Sequence, residues 1–396
     1  MLITGLINMS RKKFYIRYGS HYIDKQDIEH LSKTLKSDYL TQGDKVKKFE
    51  KNLARYLRVK YAVSCSSGTA AIHIAMKALN LNSDSIVIMP IINFVAAYNV
   101  SKNLNCKTFF ADVDQYSGLI TPQSITECIN KNKLKKVDAL FVMHHGGHVC
   151  DLEKINILKK KYKFYIIEDA CHALGSSYFI NQKKFKVGCG LHSDLITFSF
   201  HPIKAITTGE GGALVTNNLK LATKSKLIRS HGIKRSNKHW IYDVQLNGLN
   251  YRLSDIAASL GISQLNKIKK FIDQRQRIAK HYFKLIKNSN NYIRLPDKKL
   301  VNQNSWHLFT IQIDFEKLNF SKSTLFEFML KKKIILQQHY IPTNLFKIYP
   351  KNEKNKFKNA DYFYKNSLSL PIHYKLEKSD QIRVVKELLN YIKIKK

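Results

Sequence analysis

Lys204 stands in the run Ser199-Phe200-His201-Pro202-Ile203-Lys204-Ala205-Ile206-Thr207-Thr208-Gly209-Glu210-Gly211-Gly212. An apolar stretch, 195–200, precedes it and a β-like stretch, 213–216, follows, so the spacing predicts a buried strand, a rigid turn and a return into the sheet. A lysine at the mouth of a sheet is partly desolvated. That lowers its pKa and frees the amine to attack a carbonyl, which makes Lys204 a candidate Schiff-base lysine. Alone, a lysine beside a turn is more often a solvated surface group, so the assignment needs partners.

Three other stretches supply them. Ser66-Ser67-Gly68-Thr69-Ala70-Ala71-Ile72 follows an expected strand over 61–65 and opens a helix running to about residue 79. Free N–H groups, hydroxyls and the positive end of a helix dipole then meet at one point, which suits a phosphate dianion, although Ser and Thr there also read as a plain cap. Asp169 ends the apolar strand Phe164-Tyr165-Ile166-Ile167-Glu168-Asp169. Open α/β sheets bind ligands at that end, and the same carboxylate also reads as a cap of a following helix. Phe94, in Pro90-Ile91-Ile92-Asn93-Phe94-Val95-Ala96, offers an aromatic face or a core side chain. His145, His148 and Cys150 are good zinc ligands by type, but they crowd one glycine turn with no second ligand pair at metal spacing, and no metal is expected.

The elements that must position these groups are strand-loop-helix units. Strands are expected over 61–65, 86–89, 108–114, 138–143, 164–168 and 195–200. Helices are expected over 25–35 behind the cap Asp24, over 45–57, from 121, and over 324–332. One long helix without proline is expected over 255–285, followed by an alternating strand at 307–313. The stretch 175–193, with its basic patch at 182–186, reads as an enlarged surface loop without chemistry.

The chain has 396 residues and 44% hydrophobic content, enough for a large core in two or three domains. Its net charge of +38 would fit a nucleic-acid or anionic membrane partner, but the lysines are spread through every segment instead of forming one stripe. No nucleic-acid or membrane partner is expected; a positive field would still gather anionic small substrates. Six cysteines without a Cys-x-x-Cys pair fit a reduced, cytoplasmic compartment. The longest apolar region, 86–100, is interrupted by Pro90, Asn93 and Asn99, so it cannot supply a span of about 20 residues. The opening nonapeptide precedes its basic cluster, the wrong order for a secretory signal, and Met9 is an alternative start.

The lysine segment, the Ser-x-Gly-Thr helix start and the Glu-Asp-Ala-x-His segment together resemble the DegT/DnrJ/EryC1/StrS family of sugar aminotransferases that use pyridoxal 5′-phosphate (PLP). The similarity runs with gaps over about 18–371, and the Ser-Phe-His-x-x-Lys form looks most like the transaminases of pseudaminic acid biosynthesis. The resemblance implies an α/β fold, PLP-dependent transferase fold type I (aspartate aminotransferase-like), with a mostly parallel central sheet. It also implies an N-terminal arm at 1–44, a large PLP-binding domain at 45–265 and a small α+β domain at 266–396. Lys204 would be the catalytic lysine. Ser67, Gly68, Thr69 and Ser199 would hold the phosphate, Phe94 would stack on the ring, Asp169 would pair with the pyridine nitrogen, and His172 would contact the ring oxygen. Asn93 departs from the Thr that many members carry.

The resemblance further places Tyr18, Asp38, Tyr39, Leu40, Thr41, His339 and Tyr340 beside the sugar nucleotide. Asn250, in Gly248-Leu249-Asn250-Tyr251-Arg252, would reach the cofactor phosphate of a neighbouring subunit, so a homodimer with shared active sites is expected. The implied reaction moves an amino group from an amino acid, glutamate being the expected donor, to the 4-keto group of a UDP-linked N-acetyl-dideoxyhexulose. Alternatives are another nucleotide-linked 3- or 4-keto sugar, or a PLP-dependent dehydrase. Members that act as dehydrases carry His in place of the lysine, so Lys204 argues for amino transfer. A basic nucleic-acid-binding protein is the alternative of a different class.

Overall fold

The computed structural model describes residues 15–238, 240–286, 292–349 and 357–394. The opening nonapeptide with Met9 lies outside them.

Asp24 caps helix α1 (Lys25–Leu35), accepting from the N–H of Asp27 while the Asp27 side chain returns to the Asp24 N–H. Helix α2 (Asp44–Leu57) begins at Gly43, which has no side chain to cap it. Asp255, wholly buried, does so from another element, accepting from the N–H groups of Gly43 at 2.7 Å and Lys45 at 2.8 Å. That is worth about 1 kcal/mol as a cap and fixes α2 on the later helices.

Strand–helix alternation then builds the large sheet. Its strands are β1 (Tyr61–Cys65), β2 (Ile86–Pro90), β3 (Lys107–Ala111), β4 (Ala139–Met143) and β5 (Tyr165–Asp169). The helices between them are α3 (Gly68–Ala78), α4 (Ala96–Asn103), α5 (Pro122–Lys131) and α6 (Leu152–Tyr162). The hairpin β6 (Ser177–Ile180) and β7 (Lys183–Lys186) follows, then β8 (Leu195–Ser199) and β9 (Gly212–Thr216). Within the stretch 175–193, expected as a loop, residues 177–186 form a paired hairpin, held by Tyr178 against Phe185 and by Lys186 over the Tyr56 ring.

The seven-stranded order is β1-β9-β8-β5-β4-β2-β3, and β9 alone runs antiparallel to its neighbours. Strands covered on both faces read as continuous apolar runs, and β4 is buried at every residue. Alternate side chains serve opposite cores: Val87, Met89 and Phe141 pack with Ile72 and Ile74, whereas Ile88, Leu140 and Val142 pack with Ile125 and Ile155. The expectation of a mostly parallel central sheet holds.

After α7 (Leu219–Arg229) and the hairpin β10 (Ile233–Arg235) and β11 (Tyr242–Val244), the expected single helix over 255–285 divides. It forms α8 (Asp255–Asn266) and α9 (Ile268–Ile286), interrupted at Lys267 (φ −99°, ψ 0°). The break has a tertiary cause. Lys267 Nζ reaches both Asp24 and Asp27 at 2.7 Å, tying α1 to the junction. Ile268, Phe271 and Ile272 belong to the core of the large sheet, while Ile278, Tyr282 and Phe283 belong to a second core. That core surrounds a three-stranded antiparallel sheet, β12 (Ile293–Arg294), β13 (Phe309–Ile313) and β14 (Ser367–Leu370), with α10 (Lys322–Lys331), α11 (Lys358–Asn366) and α12 (Lys378–Ile394) in the same part of the chain.

Candidate active site

Strands β1, β5 and β8 are mutually parallel, so the residues that follow them emerge at one edge of the sheet. From β1 the chain turns through Ser67 into α3; from β5 it leaves through Asp169; from β8 it leaves through Ser199 towards Lys204. A cavity of about 410 Å³ opens there, a size that suits a small-molecule site. Eleven of the sixteen expected site residues line it: Tyr18, Ser67, Gly68, Thr69, Phe94, Asp169, His172, Ser199, Lys204, His339 and Tyr340.

The lysine turn is locked before Lys204 is reached. Phe200 N–H donates to Gly211 O at 2.8 Å, Thr207 Oγ1 and Thr208 N–H both donate to Phe200 O at 3.0 Å, and Lys204 N–H donates to His201 O at 2.9 Å. Lys204 is half-buried and lines the cavity. Burial pushes its pKa down, while Cys171 and Asp169 pull in the opposite direction. The net shift favours the free amine, the form that attacks a carbonyl.

At the start of α3, Ser67 Oγ accepts from Ala70 N–H at 3.0 Å. Among the described residues no acceptor takes the N–H groups of Gly68 and Thr69. The approach here is close. A Cβ on Gly212 would sit 2.3 Å from Ser67 O, and one on Gly68 would sit 2.9 Å from Ser199 Cβ and 3.4 Å from its hydroxyl. Two free donors, the Ser67 and Ser199 hydroxyls and a helix N-terminus therefore converge on one anion-sized point.

Asp169 is buried, and its Oδ1 accepts from Cys171 N–H at 3.1 Å. It caps a turn, because no helix follows β5. His172 is buried as well, and Gly146 N–H donates to its Nδ1 at 3.2 Å. The ring proton therefore sits on Nε2 and is donated to Tyr340 Oη at 2.9 Å. Burial and the neighbouring Lys204 hold His172 well below the usual imidazole range, so the ring stays neutral. Burial raises Tyr340 well above the ordinary phenol range, so it keeps a hydroxyl proton to offer. Phe94, 49% exposed, lies 5.7 Å from the Tyr340 ring, and Tyr18 lies 5.6 Å from the His339 ring.

The glycine turn after β4 uses its histidines as structural partners. His144 Nε2 meets Glu168 at 2.8 Å, His145 Nε2 donates to His339 O at 3.0 Å, and His148 packs edge-on to Trp306. Among the described residues no group of three His, Cys, Asp or Glu is placed to hold a metal ion. Nor does any helix there have the length and apolarity to cross a membrane.

Five expected residues lie elsewhere in this chain. Asp38, Tyr39, Leu40 and Thr41 are exposed on the loop between α1 and α2, pinned by Asp255 N–H to Leu40 O and a bridge from Thr41 to Ser254. Asn250 is exposed and bridges Ser230. Conversely, Cys171, His201, Glu210, Gln337 and Gln338 line the cavity without having been singled out. Glu210 lies in the lysine motif and Gln338 adjoins His339, so proximity in sequence was the available signal.

The arrangement fits PLP: a phosphate-sized cradle, a buried carboxylate that suits a ring nitrogen, an aromatic face and a lysine line a single space. Residues 21–389 match the DegT/DnrJ/EryC1/StrS aminotransferase family. The chain is 39% identical over 386 residues to the UDP-4-amino-4,6-dideoxy-N-acetyl-beta-L-altrosamine transaminase of Campylobacter jejuni, covering 96% of this chain and 99% of that protein. It superposes on Helicobacter pylori PseC, an aminotransferase involved in the biosynthesis of pseudoaminic acid, with a TM-score of 0.88 and 30% identity, over 96% of this chain and all of that one. The PLP form of the sugar aminotransferase Spr1654 of Streptococcus pneumoniae has the same fold, with a TM-score of 0.86 at 24% identity and coverage of 97% and 100%. With the lysine, the carboxylate and the helix start gathered at one sheet edge, and with this similarity along nearly the whole chain, the protein belongs to the DegT/DnrJ/EryC1/StrS family of PLP-dependent aminotransferases.

Proposed function

We propose that the protein transfers an amino group from an amino acid, glutamate first among donors, to the 4-keto group of a UDP-linked N-acetyl-dideoxyhexulose, in the making of pseudaminic acid or a related surface sugar. The observation that carries this reading is Lys204 in the same cavity as Asp169 and the start of α3, on a chain 39% identical to the altrosamine transaminase. When bound, PLP supplies the carbonyl that carries the amino group and an electron sink for the charge left by a departing α-proton.

The chain's own residues do the rest. Gly68 and Thr69 N–H, with the Ser67 and Ser199 hydroxyls, hold the phosphate. The Asp169 carboxylate keeps a proton on the pyridine nitrogen, and Phe94 covers the ring. Lys204 Nζ, its pKa lowered by burial, takes the α-proton of the donor and later returns a proton to the sugar carbon. Neutral His172 fixes the Tyr340 hydroxyl, which points a donor at the substrate oxygen. Tyr18 and His339 bound the sugar end.

Of the five expected residues outside the cavity, 38–41 and Asn250, Tyr39 (65%) and Leu40 (45%) are exposed apolar side chains, and Leu249 (42%), next to Asn250, is another. Exposed apolar groups of that kind favour burial against a second copy, and we assign them to a homodimer in which they complete the neighbour's cavity. The arm 1–44, large domain 45–265 and small domain 266–396 are the units of this reading, and the cytoplasm, where nucleotide sugars and free thiols coexist, is its compartment.

The test is spectral and chemical. PLP-loaded protein is expected to show a visible absorption band that shifts on adding glutamate, and mass spectrometry after adding UDP-keto sugars should find an amino sugar. Lys204→Ala should lose the band and turnover; a normal rate in that variant would refute the assignment.

A further inference from the structure

Gln338 lines the cavity next to His339 and Tyr340, and its carboxamide is held from behind. Lys322 Nζ donates to Gln338 Oε1 at 2.5 Å, and Gln338 Nε2 donates to Ser367 Oγ at 3.3 Å. Lys322 also donates to the carbonyl of Tyr364 and, at 3.3 Å, to that of Ser367. Three acceptors thus face a group with three donors, which only the ammonium form satisfies.

The consequence concerns the direction of an amide. A lysine has no acceptor, so Gln338 must turn its oxygen towards Lys322 and its nitrogen away. One Nε2–H goes to Ser367, which leaves the other for an acceptor in the cavity. Without Lys322 the amide is free to flip and present oxygen instead. We propose that Lys322 is a positioning residue that fixes the Gln338 carboxamide as a donor to an acceptor oxygen of the sugar-nucleotide substrate, an acetamido carbonyl or a hydroxyl. This rests on reading the cavity as a sugar-nucleotide site.

The surroundings make the device titratable. Lys322 is the first residue of α10, after the cap Ser321, and no carboxylate among the described residues contributes to its environment. Burial lowers its pKa to about 8, and the positive end of α10 acts in the same direction. The elements packed on it bring Gln338 from the cavity loop, Tyr364 from α11 and the Ser367 backbone from β14. Tyr364, its ring centre 4.7 Å from Nζ, is the one titratable side chain among these contacts. Below about pH 8 the ammonium holds the amide; above it the neutral amine offers a lone pair to one of its three acceptors and the grip is lost.

The experiment measures kcat and KM for the UDP-keto sugar between pH 7 and 9.5 in PLP-loaded wild type, Lys322→Arg and Lys322→Met, together with the half-reaction with glutamate alone. Arg keeps a cation that does not titrate in this range. The expected result is a KM that rises about tenfold with pH in wild type, stays flat in Lys322→Arg and is already raised at pH 7 in Lys322→Met, with the glutamate half-reaction unchanged in all three. A wild-type KM in Lys322→Met at pH 7, or the same alkaline rise in Lys322→Arg, would overturn the proposal. If Lys322→Met does not fold, the comparison of wild type with Lys322→Arg decides alone. A wild type that fails the glutamate half-reaction counts against the aminotransferase reading instead, and the same pH comparison is then made by calorimetry with UDP-N-acetylglucosamine as probe.

Discussion

Gly212 opens β9, where that strand passes the start of α3, and Gly212→Ala tests the phosphate cradle through backbone alone. The added Cβ would meet Ser67 O at 2.3 Å, Ser67 C at 2.4 Å and Gly68 N at 2.7 Å. All three are main-chain atoms, so no side chain can swing aside. Restoring a separation of 3.0 Å displaces the start of α3 from β9 by about 0.7 Å. An N–H···O contact of about 2.9 Å then stretches beyond 3.5 Å and ceases to be a hydrogen bond. Losing one bond to a charged acceptor costs about 1.5–3 kcal/mol, which is roughly 10- to 150-fold in PLP affinity. Overpacking separately costs about 1–3 kcal/mol of stability. Spectral titration of dialysed protein with PLP, alongside thermal unfolding without it, separates the two. Gly209→Ala is the control. It lies in the same turn at φ +81° with nothing within 4 Å of a new Cβ, so it strains the backbone without touching the cradle. PLP affinity within twofold of wild type in a folded Gly212→Ala would refute the placement of the phosphate.

Asp169→Asn keeps the shape and removes the charge, so turnover should fall on the order of 10²-fold while PLP is still bound; an unchanged rate in stopped-flow assays would count against pairing with the ring nitrogen. Acid should weaken the fold before the carboxylates titrate. Burial lowers the pKa of His145 to about 4, so between pH 6.5 and about 4 the unfolded chain binds the proton and the folded one does not, and stability rises with pH across that window by roughly 3 kcal/mol for this residue. Denaturant midpoints of wild type and His145→Gln at pH 5 and 7.5 check it, the variant's slope being shallower by this residue's share while His148, His339 and His373, lowered by burial in the same way, keep theirs. Lys267→Met would leave Asp24 and wholly buried Asp27 without their ammonium. A loss of about 3 kcal/mol and faster proteolysis of the N-terminal arm are expected, and an unchanged unfolding midpoint would contradict the role given to this junction.

The chain's local chemistry determined much of this on its own. Ser67-Gly68-Thr69 after an apolar strand can only present a cap and free N–H groups, Asp169 and Ser199 end strands that are apolar on both sides, and a proline and glycines fix the turn that carries Lys204. These are short-range properties, set by propensity and hydrophobic period, so the strand ends that carry the cap, the carboxylate and the lysine turn were legible before the fold, whereas Tyr18, Phe94, His172, His339 and Tyr340 were placed at the site only by the resemblance to the family. What tertiary structure decided were interactions between groups distant in sequence. Asp255 caps a helix more than two hundred residues earlier, Lys267 divides an apparently continuous helix by binding Asp24 and Asp27, and 177–186 pairs into a hairpin in which Tyr178 and Lys186 find aromatic partners. The protonation of the site belongs to the same class. No periodicity tells that Gly146 N–H and Tyr340 lock the tautomer of His172, or that Lys322 lies behind Gln338, because burial and direction exist only once the two cores have closed on one another.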